Sequence, residues 1–207
     1  MKKVAVLVSG GGTNLQALID AQKSGILKSG EITLVLSSKS DAYALERAEN
    51  NGIKTCVIER SEHPDREEFS RLIAEALAKE DIDYIVFAGF MYILSGEFLE
   101  IYRNRMLNVH PALIPSFCGE GFYGLRVHKA VLERGVKLTG ATVHFVNEVC
   151  DGGPIIMQKA VAIEEGDTPE ILQKRVMEQA EWQILPEALE LVCAGRVTCD
   201  GNVTHIN

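Results

Sequence analysis

An apolar run that ends in three consecutive glycines occupies residues 4–14, which read Val-Ala-Val-Leu-Val-Ser-Gly-Gly-Gly-Thr-Asn. The run Val4–Val8 is unbroken and rich in β-branched residues, which is typical of a strand buried on both faces. Beyond the glycines, Leu15, Leu18 and Ile19 recur at helical spacing. The stretch therefore predicts a strand, a glycine loop and a helix.

The same alternation continues along the first half of the chain. It predicts strands at residues 32–36, 54–58 and 84–88 and helices at residues 41–51 and 65–79. Strands that alternate with helices indicate an α/β fold, a Rossmann-like open sheet that is mostly parallel, with helices on both faces. We expect one domain over residues 1–207, with an N-terminal nucleotide-binding half to about residue 100 and a C-terminal half from about 101.

The second half is less regular. Its pattern predicts a helix at 95–102, a strand at 106–109, a helix at 127–134, two strands at 139–146 and 154–163, and a long helix at 169–193. Thr168 is placed to cap that last helix, with Pro169 at its first position. Between the strand at 106–109 and the helix at 127–134, residues 111–124 form a loop rich in Gly and Pro. A loop of this length in a compact domain is usually functional.

Composition excludes several classes of protein. The 207 residues are 46% hydrophobic and 24% charged, which excludes a disordered or collagen-like chain. With 21 Lys and Arg against 29 Asp and Glu, the net charge of −8 argues against a nucleic-acid partner. No apolar run is long enough for a signal peptide or membrane span, so we expect a cytoplasmic protein without a membrane partner. The five cysteines show no Cys-x-x-Cys pair, so we expect them to be reduced.

Three short motifs carry candidate chemistry, and each has a simpler alternative. The glycine loop exposes amides at a helix start, which favours a phosphate, or it is only a tight turn. Asn108 and His110 alternate along a strand to the same side, where an amide and an imidazole can stabilise an oxyanion, or His110 is structural. Asp151 can orient a histidine and stabilise its charge, or Asp151-Gly152-Gly153 is a hairpin turn.

Two further residues stay open at this point. His144 lies on a predicted strand and faces either the site or the surface, so it is a candidate supporting residue. Glu181, within the last predicted helix, is a surface carboxylate unless that helix closes over a ligand. Since the chain shows no helical His-x-x-x-His motif and no Cys/His cluster, we expect no metal.

Taken together, these motifs resemble one enzyme family. The opening glycine loop, Ala88-Gly89-Phe90-Met91, Asn108-Val109-His110-Pro111-Ala112-Leu113-Ile114-Pro115, and Val143-His144-Phe145-Val146 leading to Asp151-Gly152-Gly153-Pro154 resemble the phosphoribosylglycinamide formyltransferases, folate-dependent enzymes of purine biosynthesis. The resemblance covers essentially the whole chain, and it implies that the C-terminal half, from about residue 101, binds the folate and carries the catalytic residues. The block around His110 with the downstream Asp is shared by folate-dependent formyltransferases generally, so it indicates formyl transfer but not the acceptor. The N-terminal loop is what restricts the choice of the molecule that accepts the formyl group.

The resemblance implies roles for individual residues. It implies that the loop amides of Gly11, Gly12, Thr13 and Asn14 hold the phosphate of glycinamide ribonucleotide and that Glu181 contacts its ribose. It places the reduced folate, 10-formyltetrahydrofolate, against Met91, Tyr92, Ile93, Leu94, Asn147 and Asp151. Many members carry arginine where this chain has Tyr92, which changes the contact to the folate's glutamate tail.

The implied chemistry is attack of the nucleotide's amine on the formyl carbon. The resemblance makes Asn108 and His110 the groups that stabilise the oxyanion, while Asp151 holds His110 and relays protons through an ordered water. The partners are then two small molecules, and the sequence leaves a homodimer open. Three alternatives remain. A formyltetrahydrofolate hydrolase is expected to carry an additional N-terminal domain, and a methionyl-tRNA formyltransferase is expected to carry a C-terminal tRNA-binding domain. The third alternative is a non-catalytic nucleotide-binding module.

Overall fold

The computed structural model describes all 207 residues, which divide into two compact units, Met1–Leu107 and Asn108–Asn207. The division falls seven residues beyond the expected boundary near residue 100, and it passes through one strand. One seven-stranded sheet has the strand order β3-β2-β1-β4-β5-β6-β7. The open, mostly parallel sheet with flanking helices confirms the predicted fold class.

The first unit alternates strands and helices as its sequence predicts. Its elements are β1 (Lys2–Val8), α1 (Thr13–Ser24), β2 (Gly30–Ser37), α2 (Tyr43–Glu49), β3 (Lys54–Val57), α3 (Arg66–Lys79), β4 (Tyr84–Phe87) and α4 (Gly96–Ile101). Strand β1 pairs in parallel with β2 and β4, and β2 pairs in parallel with β3. Residues 4–8 are fully buried, and burial of each valine or leucine side chain among them contributes about 1.5–3 kcal/mol.

The second unit is less regular and ends in a hairpin. Its elements are β5 (Met106–His110), whose first two residues belong to the first unit, α5 (Leu125–Arg134), β6 (Leu138–Phe145), β7 (Ile155–Ala162), α6 (Pro169–Val176), α7 (Trp182–Cys193), β8 (Val197–Asp200) and β9 (Val203–Ile206). Strands β6 and β7 are antiparallel. Residues 111–124 form the predicted irregular loop.

Local signals set where several helices begin. The Asp65 carboxylate accepts a hydrogen bond from the Glu68 amide at 2.8 Å and starts α3. The Thr168 hydroxyl accepts one from the Ile171 amide at 3.3 Å, with Pro169 at the first helical position, which confirms the predicted start of the last helix. None of the helices combines the length and the apolar character that crossing a bilayer requires.

Two features of the second unit differ from the prediction. The long helix expected over 169–193 is interrupted by a π-helix, Met177–Glu181, between α6 and α7. Pro186, inside α7, has no amide to bond the Trp182 carbonyl, so a regular α-helical pattern cannot run unbroken through this region. The C-terminal residues, for which no element was predicted, form the β8–β9 hairpin, and the signal that identifies it is the two-residue turn Gly201-Asn202 between two alternating runs.

Gly12 is the position where the glycine loop most needs glycine. Its φ is 71°, and a Cβ there would lie 2.7 Å from the Ala44 Cβ. Both left-handed backbone and this clash exclude a larger residue without rearrangement. Gly10 has neither restriction, since nothing lies within 4 Å of a Cβ added there.

We therefore expect Gly12→Ala to lower the free energy of unfolding by about 2 kcal/mol or more, because backbone strain and overpacking add. Urea unfolding followed by circular dichroism measures it. Gly10→Ala is the matched control and should change stability by less than about 0.5 kcal/mol. Equal stability of the two variants would contradict the packing described for Gly12.

Candidate active site

Strand β5 carries Asn108 and His110 to the same side, as the alternation predicts. His110 is 4% exposed and Asn108 is half-buried. The loop that follows is held by Thr142 of β6, whose buried hydroxyl donates to the Ala112 carbonyl at 2.7 Å and accepts from the Ile114 amide at 3.1 Å. The chain immediately after His110 is therefore fixed to the neighbouring strand.

Both ring nitrogens of His110 face acceptors. Nε2 lies 2.8 Å from the Phe117 carbonyl oxygen, and Nδ1 lies 3.4 Å from Oδ2 of Asp151. Burial lowers the pKa of His110 below its usual value, and the Asp151 carboxylate opposes that shift. Burial thus favours the neutral imidazole, and the nearby carboxylate stabilises the charged form once the ring gains a proton.

Asp151 is placed by a tight turn. The Gly152 amide donates to the Val149 carbonyl at 2.9 Å, and Asp151 itself has a φ of 54°. Its carboxylate accepts a hydrogen bond from the Gly119 amide at 2.9 Å. Burial acts to raise the pKa of Asp151, but His144, His110 and the Gly119 amide outweigh it, so the pKa lies below its usual range. The carboxylate is therefore ionised at neutral pH.

His144 faces this cluster and not the surface, which resolves the open alternative. It is 2% exposed on β6, and its Nδ1 lies 2.8 Å from the Phe145 carbonyl oxygen. Its Nε2 lies 3.2 Å from the Asn108 amide nitrogen and 3.7 Å from Oδ1 of Asp151. Because the carbonyl only accepts, Nδ1 carries a hydrogen, and Nε2 is left to accept from Asn108 or, when protonated, to donate to Asp151.

The second unit therefore brings four polar side chains together: Asn108, His110, His144 and Asp151. Two imidazoles flank one ionised carboxylate, and an amide lies beside them. This set can supply hydrogen-bond donors to an oxygen that gains negative charge and can hold a proton in transit. No group of three or more His, Cys, Asp or Glu side chains is arranged to hold a metal ion.

Glu181 also belongs to the second unit. It ends the π-helix and is 6% exposed, so it is not the surface carboxylate of the simpler alternative. The π-helix packs against β6 and β7. Single π-helical turns occur frequently at functional sites.

The first unit carries the glycine loop at the end of β1. Gly12 is the N-cap residue of α1, and no side chain caps this helix start. The first turn, which begins with Thr13 and Asn14, contains no acidic residue. An uncapped helix start of this kind favours an anion. The Ser9 hydroxyl at the loop's entrance bonds the Ser38 hydroxyl at 2.7 Å and accepts from the Met91 amide at 3.2 Å.

Arg47 of α2 lies against the same loop, and the sequence analysis did not identify it. Its Nε donates to the Gly11 carbonyl at 2.9 Å, and its guanidinium lies over the Tyr43 ring at 4.9 Å. The contact adds a positive charge beside the helix start. No local signal indicates it, because Arg47 and Gly11 are 36 residues apart.

The segment after β4 presents apolar surface. Met91 is 51% and Ile93 is 59% exposed, whereas Leu94 is buried. The Tyr92 ring packs at 5.8 Å from Phe90, and the Arg60 guanidinium lies 5.7 Å from the centre of the Tyr92 ring. In the second unit, Asn147 accepts a hydrogen bond from the Val149 amide at 3.0 Å and so stabilises the turn that holds Asp151.

The comparisons with known proteins identify the family of the chain. Residues 2–189 match the Formyl transferase family, so the chain belongs to that family. It is 39% identical over its full length to the phosphoribosylglycinamide formyltransferase of Haemophilus influenzae, of which it covers 94%. A crystal structure of glycinamide ribonucleotide transformylase 1 from Symbiobacterium toebii superposes with a TM-score of 0.93 at 40% identity, over 100% of this chain and 94% of that one.

Longer relatives contain a region that is similar to almost the whole of this chain. Over 97% of its length the chain is 45% identical to the human trifunctional purine biosynthetic protein adenosine-3, of which it covers 19%. The chain thus spans about a fifth of the length of the trifunctional relatives it matches.

His128 of α5 is a buried titratable group beside this cluster. It is fully buried, and neither ring nitrogen has a hydrogen-bond partner. Burial, with a smaller contribution from the charge of His110, lowers the pKa of His128 to about 4. Since the folded state binds the proton more weakly than the unfolded state, stability falls as pH drops from about 6.5 toward 4.

We expect His128→Leu to reduce this acid sensitivity. Between pH 7 and 4.5, the free energy of unfolding of the variant should gain about 2–3 kcal/mol relative to the original protein, because leucine takes up no proton. Urea unfolding at the two pH values measures it. Val131→Ala, at another buried position of α5, removes no titratable group and should lower the free energy of unfolding equally at both pH values. A pH dependence of His128→Leu that parallels that of the original protein would exclude the role given to His128.

Proposed function

We propose that this protein transfers the formyl group of 10-formyltetrahydrofolate to the amine of glycinamide ribonucleotide, giving formylglycinamide ribonucleotide and tetrahydrofolate in purine biosynthesis. The observation that carries the proposal is the convergence of Asn108, His110 and Asp151 at the end of β5 in a member of the Formyl transferase family. The proposed partners are these two small molecules, without metal, nucleic acid or membrane, in the cytoplasm.

The reaction needs the groups that this cluster offers. The amine nitrogen attacks the formyl carbon, an N–C bond forms, and the carbonyl π pair moves to oxygen. In our proposal, Asn108 and His110 donate hydrogen bonds to that oxyanion. The adduct then collapses to re-form the carbonyl, and the bond to the folate nitrogen breaks. The amine nitrogen loses one proton and the folate nitrogen gains one, which His110 and Asp151 would relay.

His144 supports the proposal as an orienting residue. It is close enough to Asn108, at 3.2 Å, to fix the rotation of that amide. One N–H of Asn108 then points to His144, and the other is left for the oxyanion. The proposed role of His144 is thus to aim a donor, and not to react itself.

The proposed binding roles follow the family resemblance. The amides of Gly11, Gly12, Thr13 and Asn14 would bind the nucleotide's phosphate, for which the uncapped start of α1 is suited. Glu181 would accept hydrogen bonds from the ribose. Apolar and amide groups would bind the folate: Met91, Tyr92, Ile93, Leu94 and Asn147. The aromatic packing of Tyr92 supports a stacking contact there in place of a charged one.

We expect His110→Ala and Asp151→Asn each to lower kcat by about 10²–10³, because the first removes a group that stabilises the oxyanion and the second removes a group that relays the proton. Nucleotide affinity, measured by calorimetry, should be unchanged, since neither residue is proposed to bind the nucleotide. His205→Ala is the control at an exposed histidine. Near-normal turnover in either active-site variant would overturn the proposal.

The acceptor is tested by following folate absorbance with and without glycinamide ribonucleotide. Formyl transfer that requires the nucleotide supports the proposal. Formyl release without nucleotide would instead identify a formyltetrahydrofolate hydrolase. Nucleotide binding without any turnover would identify a non-catalytic binding module.

Glu181→Gln should raise the KM for the nucleotide about tenfold with a smaller change in kcat, because a hydrogen bond to a charged group contributes ~1.5 kcal/mol. Steady-state kinetics at saturating folate measures both constants. Glu178→Gln is the matched control, since Glu178 lies in the same π-helix but is exposed and pairs with Lys174 at 3.8 Å. Equal KM values in the two variants would exclude a ribose contact by Glu181.

A further inference from the structure

One short segment of the irregular loop contacts both central groups of the site through its main chain. The Phe117 carbonyl oxygen lies 2.8 Å from Nε2 of His110, and the Gly119 amide lies 2.9 Å from Oδ2 of Asp151. Neither contact uses a side chain of the loop. Sequence patterns therefore give no sign of either contact.

The carbonyl contact determines where His110 carries its hydrogen. Both the Phe117 carbonyl and the Asp151 carboxylate only accept hydrogen bonds, but the carbonyl lies at 2.8 Å from Nε2 and the carboxylate at 3.4 Å from Nδ1, so the shorter contact places the hydrogen of the neutral ring on Nε2. Nδ1 is then the nitrogen that can gain or lose a proton, and it faces Asp151 at 3.4 Å. Because the ring is only 4% exposed, water has little access to it and cannot readily move the hydrogen from one ring nitrogen to the other.

The direction of that carbonyl depends on an unfavourable backbone conformation. Phe117 has a φ of 52°, in the left-handed region that costs an L-residue about 1–2 kcal/mol. The Phe117 ring contacts the Phe122 ring edge to face, with 6.5 Å between the centroids. Strained residues of this kind cluster where a site requires a fixed geometry.

We propose that the Phe117 main chain is a positioning element of the active site: its carbonyl holds the hydrogen of His110 on Nε2 and so makes Nδ1 the nitrogen that exchanges protons. This inference rests on the proposed function. In the transfer, Nδ1 takes the proton that the attacking amine loses, donates a hydrogen bond to the oxyanion as the imidazolium, and delivers the same proton to the leaving folate nitrogen. The ring ends neutral, so proton and charge balance close over one turnover.

Two substitutions at one position test the proposal. Phe117→Gly and Phe117→Ala both remove the ring, but only glycine adopts the left-handed conformation without strain. We expect kcat to be about fivefold lower in Phe117→Ala than in Phe117→Gly, with equal KM for the nucleotide. Phe122→Ala removes the ring contact but leaves an L-residue in the left-handed conformation at position 117, so its kcat should also lie below that of Phe117→Gly.

The tautomer itself is measured in the free protein, by the ¹⁵N shifts of the His110 ring in a long-range proton–nitrogen spectrum with His110→Gln for assignment. We expect hydrogen on Nε2 in the original protein and in Phe117→Gly, and a mixture of tautomers in Phe117→Ala. Hydrogen on Nδ1 in the original protein would overturn the proposal.

A faster Phe117→Ala variant would also overturn it, because the carbonyl would then be blocking Nε2 and not positioning the ring. Since the spectrum needs no turnover, it decides the tautomer even if the protein transfers no formyl group. Failure of the proposed function and failure of this inference are therefore separate results.

Discussion

The contact between the Asp151 carboxylate and His110 is the interaction around which the second unit is arranged. A buried carboxylate costs several kcal/mol unless positive charge and hydrogen-bond donors surround it. Here the Gly119 amide donates to Oδ2 at 2.9 Å, and two imidazoles lie close by, with Nδ1 of His110 at 3.4 Å and Nε2 of His144 at 3.7 Å, each of which donates to the carboxylate only when its ring is protonated. Each of these groups is held by a hydrogen bond of its own, so groups of fixed orientation take the place of the water that would otherwise solvate the carboxylate.

This arrangement requires unfavourable backbone at several points. Phe117 and Asp151, which lie opposite the two ring nitrogens of His110, both have positive φ values, 52° and 54°. The turn beside Asp151 is also crowded, because a Cβ on Gly153 would lie 1.8 Å from the Phe145 carbonyl oxygen. Strain and close packing at one place are what a site that must hold a carboxylate and two imidazoles at fixed distances requires.

Much of this could be predicted, and what could not has identifiable causes. The glycine loop, the alternation of Asn108 and His110, and the cap at Thr168 are local signals that the structure confirms. The π-helix before Pro186 and the terminal hairpin were missed, although Pro186 and the turn Gly201-Asn202 are their local signals. Arg47 against Gly11 could not be predicted, because residues far apart in sequence meet only when the helices pack on the sheet.

The sequence by itself determined the fold class, the position of the glycine loop and the types of residue that the site contains, because periodicity and turn chemistry act over a few neighbouring residues. Only the tertiary structure decided that His144 and Glu181 are buried, that two imidazoles flank Asp151, and that the Phe117 carbonyl meets His110. Those facts depend on main-chain groups, which every residue carries, and on contacts between distant segments, so no residue pattern encodes them.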